Sequence, residues 1–533
     1  MYIDKSDRKW LMALFAGVIL LTTVPYFVAF THQGNQWVFS GFFLGVDDGN
    51  SYLAKMVTGM NGNWLFRTPY TTQMQNGIIA FIPYLLLGKL AHTPGLHIQL
   101  IMLFQLFRIV GIGTYILGTY QFMKIFVNNK LTRSIGMIFM VFGGGLGWLF
   151  PIFGISQIMG TIPLEFYSPE SFGFLSLYSF PHLAVARGIV FTSLALFISY
   201  YEPRSPVNHS YWIRPGILLF IAGIFQPLSS AIGLFLIVLF VVANQLIHKI
   251  TKESIRRNLI ILFYTSLSAL PVILYNGIAQ YVDPYFKGWT DQNIITSPNP
   301  VHYFLAFIIP VFIILLQLST FKKLVVLPRF LFLAIWVPVF LLLAYIPFNL
   351  QRRLPDGIFI ALIVFMMSVI ENGDKKHTKI WLMAAGILIL PSTLLIVANG
   401  ILSAIHPFEP IFITKNKAET YLQMSEIVKP RSNILANFQT GNEFPVWAPV
   451  SMVMGHGPES IHLKSVRDDV NYFFNPESMD EKRREILKKY EVDYVIQEKH
   501  TDRFPVETDN TPCYMKIDLD TQIYKLFEVV NCD

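Results

Sequence analysis

Charge is scarce in this chain, and so is cysteine. Asp, Glu, Lys and Arg make up 14% of its 533 residues, against about 25% in soluble globular proteins. Hydrophobic residues reach 53%. An ordinary water-soluble globule is thereby excluded, and a bilayer must be the solvent for much of the chain. Motifs that cradle nucleotides or metals are missing too: there is no Walker A loop, no GxGxxG after a strand, no CxxC and no HExxH. With no nucleotide fold on the inner side, any reaction needs an activated donor. The only cysteines, Cys513 and Cys532, fall near the C-terminus. An oxidising exterior would permit a disulfide there, and two separate thiols fit as well.

The charge that is present is uneven. From His406 onward there are 15 basic and 21 acidic residues, a net of −6; residues 1–405 hold 26 and 13, a net of +13. The chain therefore divides into a basic membrane domain, 1–405, with long outer loops 31–97 and 154–181, and a polar C-terminal domain, 406–533. The net positive charge is no sign of nucleic-acid binding, because the basic residues lie in short loops between apolar runs.

About eleven apolar segments are long enough to span, near 10–30, 98–125, 134–153, 182–201, 213–226, 228–247, 259–280, 301–318, 330–347, 357–371 and 380–404. The first reads as a retained helix. The run 213–247 is split at Gln226-Pro227, because proline breaks a helix. Segment 78–90 is too short and reads as re-entrant or interfacial. With the N-terminus inside, every inner loop is basic, as the positive-inside rule asks. Had 78–90 crossed, the later loops would swap sides. This parity puts the C-terminal domain outside. Strands near 434–438 and 492–496, a helix near 478–490 and a hairpin over 514–517 and 522–529 make that domain a small α/β unit.

The outer loops hold the unusual residues. Asp47 and Asp48 precede an amphipathic helix carrying Tyr52, Met56 and Met60, which could lie on the membrane. A carboxylate there can act as a general base toward a hydroxyl or ligate a divalent cation; equally, Asp48 can cap a helix starting near Ser51. Loop 154–181 adds Glu170, and His182 follows at a helix mouth. His456 and Glu459 have i, i+3 spacing but fall in a Gly/Pro loop, so no metal site is assigned.

Outer residues 348–356 run against the charge trend with Arg352 and Arg353. Arginines at the outer interface suit bidentate binding of phosphate; pairing of Arg353 with Asp356 is the alternative. Arg108 and Arg187 stand inside apolar runs, where an ionisable residue is costly and marks function by default. An anionic lipid-linked substrate, or an acid such as Asp47 or Glu170, would supply the counter-charge.

The order of these features resembles the GT-C superfamily, membrane glycosyltransferases that take a sugar from a polyprenyl-phosphate carrier. The resemblance rests on a first helix, a long outer loop with an acid pair and Tyr52, a non-spanning segment, many spans and an outward C-terminal domain. Protein O-mannosyltransferases and the lipid A aminoarabinose transferase share this plan. A group of bacterial proteins is similar in more detail, at Asp48 to Met56, Gly62-Asn63-Trp64-Leu65-Phe66, Pro69-Tyr70-Thr71, Pro169-Glu170, Pro181-His182, Gln351-Arg352-Arg353 and Gly455-His456 with Glu459. Where those relatives often carry Glu and then His after Pro-Tyr-Thr, this chain has Gln73-Met74-Gln75.

The resemblance implies a GT-C-like polytopic α-helical fold in a bacterial cytoplasmic membrane, with N-terminus inside. It makes Asp48, or Asp47, the base that deprotonates an acceptor hydroxyl, and Glu170 an orienting group or a metal aid. Arg352 and Arg353, with Arg187, would hold the lipid phosphate. Arg108, Tyr52 and His182 complete the expected substrate contacts. The partners implied are a polyprenyl-phosphate-linked sugar, membrane lipid and an acceptor glycan, lipid or protein; the cofactor, if any, would be a divalent cation. Two rival functions are a lipid-linked glycan transporter or flippase and a non-catalytic glycolipid-binding relative. Transporters concentrate polar residues near the bilayer midplane, whereas here they cluster in outer loops.

Overall fold

A computed structural model describes residues 4–201, 209–247, 251–504 and 512–531. Most of the chain is helical. Among the described residues, seven helices are long and apolar enough to cross a membrane. A further pair, Pro300–Leu316 and Leu318–Val325, is bent by 88°, and Tyr211–Phe225 and Pro328–Leu343 are shorter apolar helices. The chain is a multi-pass membrane protein. Its contacts divide it into two compact units: residues 1–25, 106–277 and 295–401 form the first, and residues 26–105, 278–294 and 402–533 the second.

In the first unit, helix Ile358–Asn372 is the centre, with every residue from Ile358 to Ile370 buried. Bilayers offer no hydrophobic drive between helices, so close backbone approach matters more. Helices Leu96–Phe126 and Pro181–Tyr201 cross at glycines: a Cβ on Gly118 would fall 1.9 Å from the Gly188 carbonyl oxygen. The expected break at Gln226-Pro227 is present, with helix His209–Phe225 ending before it and Pro227–Ile247 starting on the proline. The expected span 134–153 is corrected. Its helix, Lys130–Phe142, stops at Gly143-Gly144-Gly145. There the backbone leaves the helix to hydrogen-bond elsewhere, Gly144 N to Ile389 O at 2.7 Å and Leu146 N to Leu305 O at 3.1 Å. A Cβ on Gly145 would meet the Ala306 backbone at 2.5 Å.

The second unit is built on a five-stranded sheet. Strands β1 (Asn433–Leu435), β2 (Ser451–Met452), β3 (Tyr494–Glu498), β4 (Met515–Asp520) and β5 (Tyr524–Val529) lie in the order β2-β1-β3-β5-β4. β1 pairs in parallel with both β2 and β3, and β5 is antiparallel to β3 and β4. Helices Leu463–Phe474 and Asp480–Lys489 contribute Val466, Val470, Phe473, Ile486 and Leu487 to its core. The expected strands, helix and hairpin are all present. The Cys513–Cys532 pairing lies partly outside the described residues.

Also in this unit, helix Val46–Met60 packs on the short helix Ile82–Gly88. The seven residues of the latter reach only about 10 Å, far short of a span. Their backbones nearly touch: Cβ atoms on Gly59 and Gly88 would fall 2.1 Å from Leu85 O and 1.8 Å from Met56 O. The expectation that the Tyr52–Met56 face lies on lipid is therefore corrected. Met56 is fully buried, and Tyr52 stacks on Tyr84 with ring centroids 4.7 Å apart.

Candidate active site

The second unit gathers the residues of the acid-pair motif. Helix Val46–Met60 starts earlier than expected, because Gly45 adopts φ 59°, ψ 55° at its N-cap. Asp48 therefore stands inside the first turn, and the expectation that it caps a helix near Ser51 is corrected. Asp48, Ser51 and Lys55 follow at i, i+3 and i+7, which places them on one helix face. His456 and Glu459 meet that face.

The contacts form a chain of alternating charge. Asp48 Oδ1 is 3.1 Å from His456 Nε2, and His456 Nδ1 is 3.1 Å from Glu459 Oε1, the latter contact too oblique for a linear hydrogen bond. Lys55 Nζ lies 2.6 Å from the same Glu459 oxygen. Ser51 Oγ donates to Glu459 at 2.5 Å, and Thr68 Oγ1 donates to its other oxygen. Lys55 is also stacked over the Phe81 ring, 4.6 Å from its centroid. Lys55 and Glu459 are almost wholly buried, while the Asp48 side chain keeps 48% of its surface exposed. The inner part of the chain is thus fixed and its outer end faces solvent.

The charges set one another. Burial works against a charged imidazole, yet the hydrogen bond to Asp48 and the Glu459 carboxylate beside the ring outweigh it and raise His456 to about 9. Burial likewise opposes the Glu459 carboxylate, but Lys55 and His456 hold it well below the usual range. Asp47 is raised, chiefly by burial, with the neighbouring Asp48 charge adding to it and His456 opposing it. Below about pH 9 His456 therefore sets a positive charge 3.1 Å from the Asp48 carboxylate.

The surroundings hold this chain in place. Tyr285 OH donates to Glu459 O at 2.7 Å, and Ser460 Oγ donates to Tyr70 O at 3.0 Å. Asn50 Nδ2 donates to Asn442 Oδ1 at 2.8 Å. Gln73, at the departure from the bacterial pattern, is exposed. Among the described residues, no group of three or more His, Cys, Asp or Glu is arranged to hold a metal ion.

The first unit gathers the arginines and Glu170. Arg187, 2% exposed, lies 2.6 Å from Asp356 Oδ1 and donates to the carbonyls of Pro169 and Glu170 at 2.8 and 2.9 Å. Ser229 Oγ donates to the other Asp356 oxygen at 2.5 Å. The alternative pairing of Arg353 with Asp356 is therefore corrected. Arg353 Nε instead lies 3.2 Å from Glu170 Oε1, with a third of its side chain exposed. Arg352 spreads over the Tyr167 ring at 4.8 Å. Glu170 Oε2 and Arg352 Nε are buried without a hydrogen-bond partner, the kind of atoms for which a ligand is one explanation. Arg108 is buried and donates to Thr22 and to Thr23, the latter at 2.8 Å. His182 is half-buried at the start of helix Pro181–Tyr201.

In the sequence Asp48, Glu170, the arginine pair and Asp356 stand out, whereas Ser51, Lys55, Thr68 and Tyr167 carry no assigned role. A usable signal was present for two of them: Ser51 and Lys55 extend the helix face begun by Asp48, and Glu459 repeats the spacing after His456.

No protein-family model matches the chain, and no curated protein matches its sequence. Solved structures do. The oligosaccharyltransferase of Archaeoglobus fulgidus in its apo form aligns with 93% of this chain and 70% of its own, at TM-score 0.57 and 12% identity. The same archaeal enzyme has been solved with an inhibitory peptide and a dolichol-phosphate, and with zinc and sulfate. ArnT from Cupriavidus metallidurans bound to undecaprenyl phosphate aligns with 96% of this chain and 98% of its own, at TM-score 0.51 and 12% identity. Arabinofuranosyltransferase AftD from Mycobacteria covers 99% of this chain and 40% of its own length, at TM-score 0.56 and 10% identity. At such identities the likeness is one of fold.

Proposed function

We propose that this protein is a glycosyltransferase that moves a sugar from a polyprenyl-phosphate carrier to an acceptor hydroxyl at the outer face of a bacterial cytoplasmic membrane. The observation that carries the reading is the half-exposed Asp48 carboxylate, tied to His456 and through it to the buried Glu459–Lys55 pair. A half-exposed carboxylate fixed from behind by a cationic ring suits a general base. Structural neighbours solved with dolichol-phosphate and undecaprenyl phosphate support the donor class.

In this reading Asp48 accepts the proton of the acceptor hydroxyl as its oxygen bonds to the sugar C1. The C1–O bond to phosphate breaks, its electron pair stays on the polyprenyl phosphate, and the configuration at C1 inverts. In the first unit, Arg352 and Arg353 are the candidate phosphate-binding residues, suited to offset charge developing on a phosphate. Glu170 orients Arg353. Arg187 acts through the loops it ties together, because its guanidinium is already engaged by Asp356 and two carbonyls. Asp47 adds negative charge beside Asp48. A divalent cation, if one is used, would draw on Asp47 and Asp48, which the helix start leaves toward solvent.

The test is to mix the purified protein with polyprenyl-phosphate sugars and follow release of polyprenyl phosphate. Acceptor-dependent release supports transfer. Translocation of intact donor across vesicles with no release would instead make the protein a transporter, and binding alone would make it a non-catalytic relative.

A further inference from the structure

The sheet of the second unit carries a cavity of about 410 Å³ that the reading above does not use. Its place follows from topology. β1 lies between β2 and β3 and runs parallel to both, so the chain leaves β1 toward one side and returns across it to β3. Ligands of open α/β sheets bind where such a reversal opens a crevice at the carboxyl ends of the strands. Met454, Asn437 and Asp502, which follow the carboxyl ends of β2, β1 and β3, all line the cavity.

The lining has a definite chemistry. Its floor is apolar, from Met454, Val470 and Phe474. Its rim carries the amides of Asn471 and Asn475 and the guanidinium groups of Arg467 and Arg503, all on exposed residues. The far wall is braced. Asp502 Oδ2 accepts from the Glu498 backbone at 2.8 Å and from Asn437 Nδ2 at 3.3 Å. Asn437 Nδ2 also donates to Glu498 Oε2 at 2.9 Å. Amides offer both donor and acceptor, as sugar hydroxyls do, and an apolar floor suits the C–H face of a pyranose ring. The volume falls in the range of small-ligand sites, about 300–1,000 Å³. The Phe438 ring is covered by Arg467 at 5.0 Å, which leaves that face unavailable for stacking a nucleobase.

We infer that this crevice is a binding site for a short saccharide bearing a carboxylate, held by Arg467 and Arg503 through its acid and by Asn471 and Asn475 through its hydroxyls. The inference stands apart from the transfer reaction, since binding is read directly.

The experiment is saturation-transfer NMR on the full chain in detergent. Three probes are used: the disaccharide of glucuronic acid and N-acetylglucosamine, neutral cellobiose, and inorganic phosphate as a competitor. The acidic disaccharide is expected to bind, with cellobiose about tenfold weaker. Asn471→Trp, which fills the cavity, should abolish the signal, and the Arg467→Ala/Arg503→Ala pair should weaken it about tenfold. These residues are exposed, so unchanged melting accompanies each variant. The inference is overturned if the acidic disaccharide gives no signal, if cellobiose binds equally well, if phosphate at the same concentration displaces the sugar fully, or if Asn471→Trp leaves binding intact.

Discussion

Lys55 Nζ and Glu459 Oε1 meet at 2.6 Å, joining residues 404 apart in sequence through side chains that solvent barely touches. Breaking such a pair leaves a buried charge, which costs about 3–5 kcal/mol, whereas apolar replacement of both partners is often neutral. Lys55→Met and Glu459→Leu should each lower the melting temperature of the full chain sharply, and the double variant should recover most of the loss. Additive losses would show that the two charges act separately.

The same cluster sets the response to pH. The His456 value in the folded state is about 9 against an ordinary 6.5, so the folded protein favours the protonated ring. Its contribution to stability is complete below about pH 6.5 and fades as pH rises toward 9. Glu459 has the opposite sign: its depressed value gives stability that is present above about 4.5 and lost as pH falls below it. Thermal melting against pH should therefore decline on the alkaline side between 6.5 and 9, and His456→Gln should flatten that limb.

Two arginines that look alike in sequence should behave differently. Arg187 is buried against Asp356, and Arg187→Met should destabilise the protein by about 3–5 kcal/mol through the stranded carboxylate. Arg353 is a third exposed but its partner Glu170 is buried, so Arg353→Ala should cost less stability than Arg187→Met while raising the donor KM about tenfold or more. Denaturation curves alongside release kinetics separate the two, and a normal donor KM in Arg353→Ala would remove it from phosphate binding.

The glycine contact between helices Val46–Met60 and Ile82–Gly88 is a packing prediction. A side chain at Gly88 would meet Met56 O at 1.8 Å. Gly88→Val should cost at least about 1–3 kcal/mol in melting experiments, and should loosen the face that carries Asp48. Gly62→Ala, whose Cβ meets nothing within 4 Å but whose φ is +91°, should cost less and only through backbone strain.

What was legible in the sequence followed from local rules. Pro227 lacks an N–H, so the helix break before it could be read directly. The strand segments of the C-terminal domain and the short apolar run at 78–90 are equally local signals. The early start of helix Val46–Met60 was not legible, because Gly45 takes a left-handed conformation that nothing nearby demands. The break after Phe142 depends on carbonyls at 305 and 389 that accept from the glycine loop. Asp48 and Glu170 were visible as anomalies of charge, but their partners were not. His456 and Arg353 reach them from distant sequence, and only the repeated spacings 48/51/55 and 456/459 hinted at the first of those meetings.

The central claim is that Asp48 accepts a proton during sugar transfer, and single-turnover release of polyprenyl phosphate tests it most directly. Asp48→Asn keeps the size of the side chain and a hydrogen bond to His456, so melting should stay close to that of the parent. The account predicts release slowed by about 10²–10⁴-fold, as for loss of a general base. Release at the parental rate from a folded Asp48→Asn protein would contradict it.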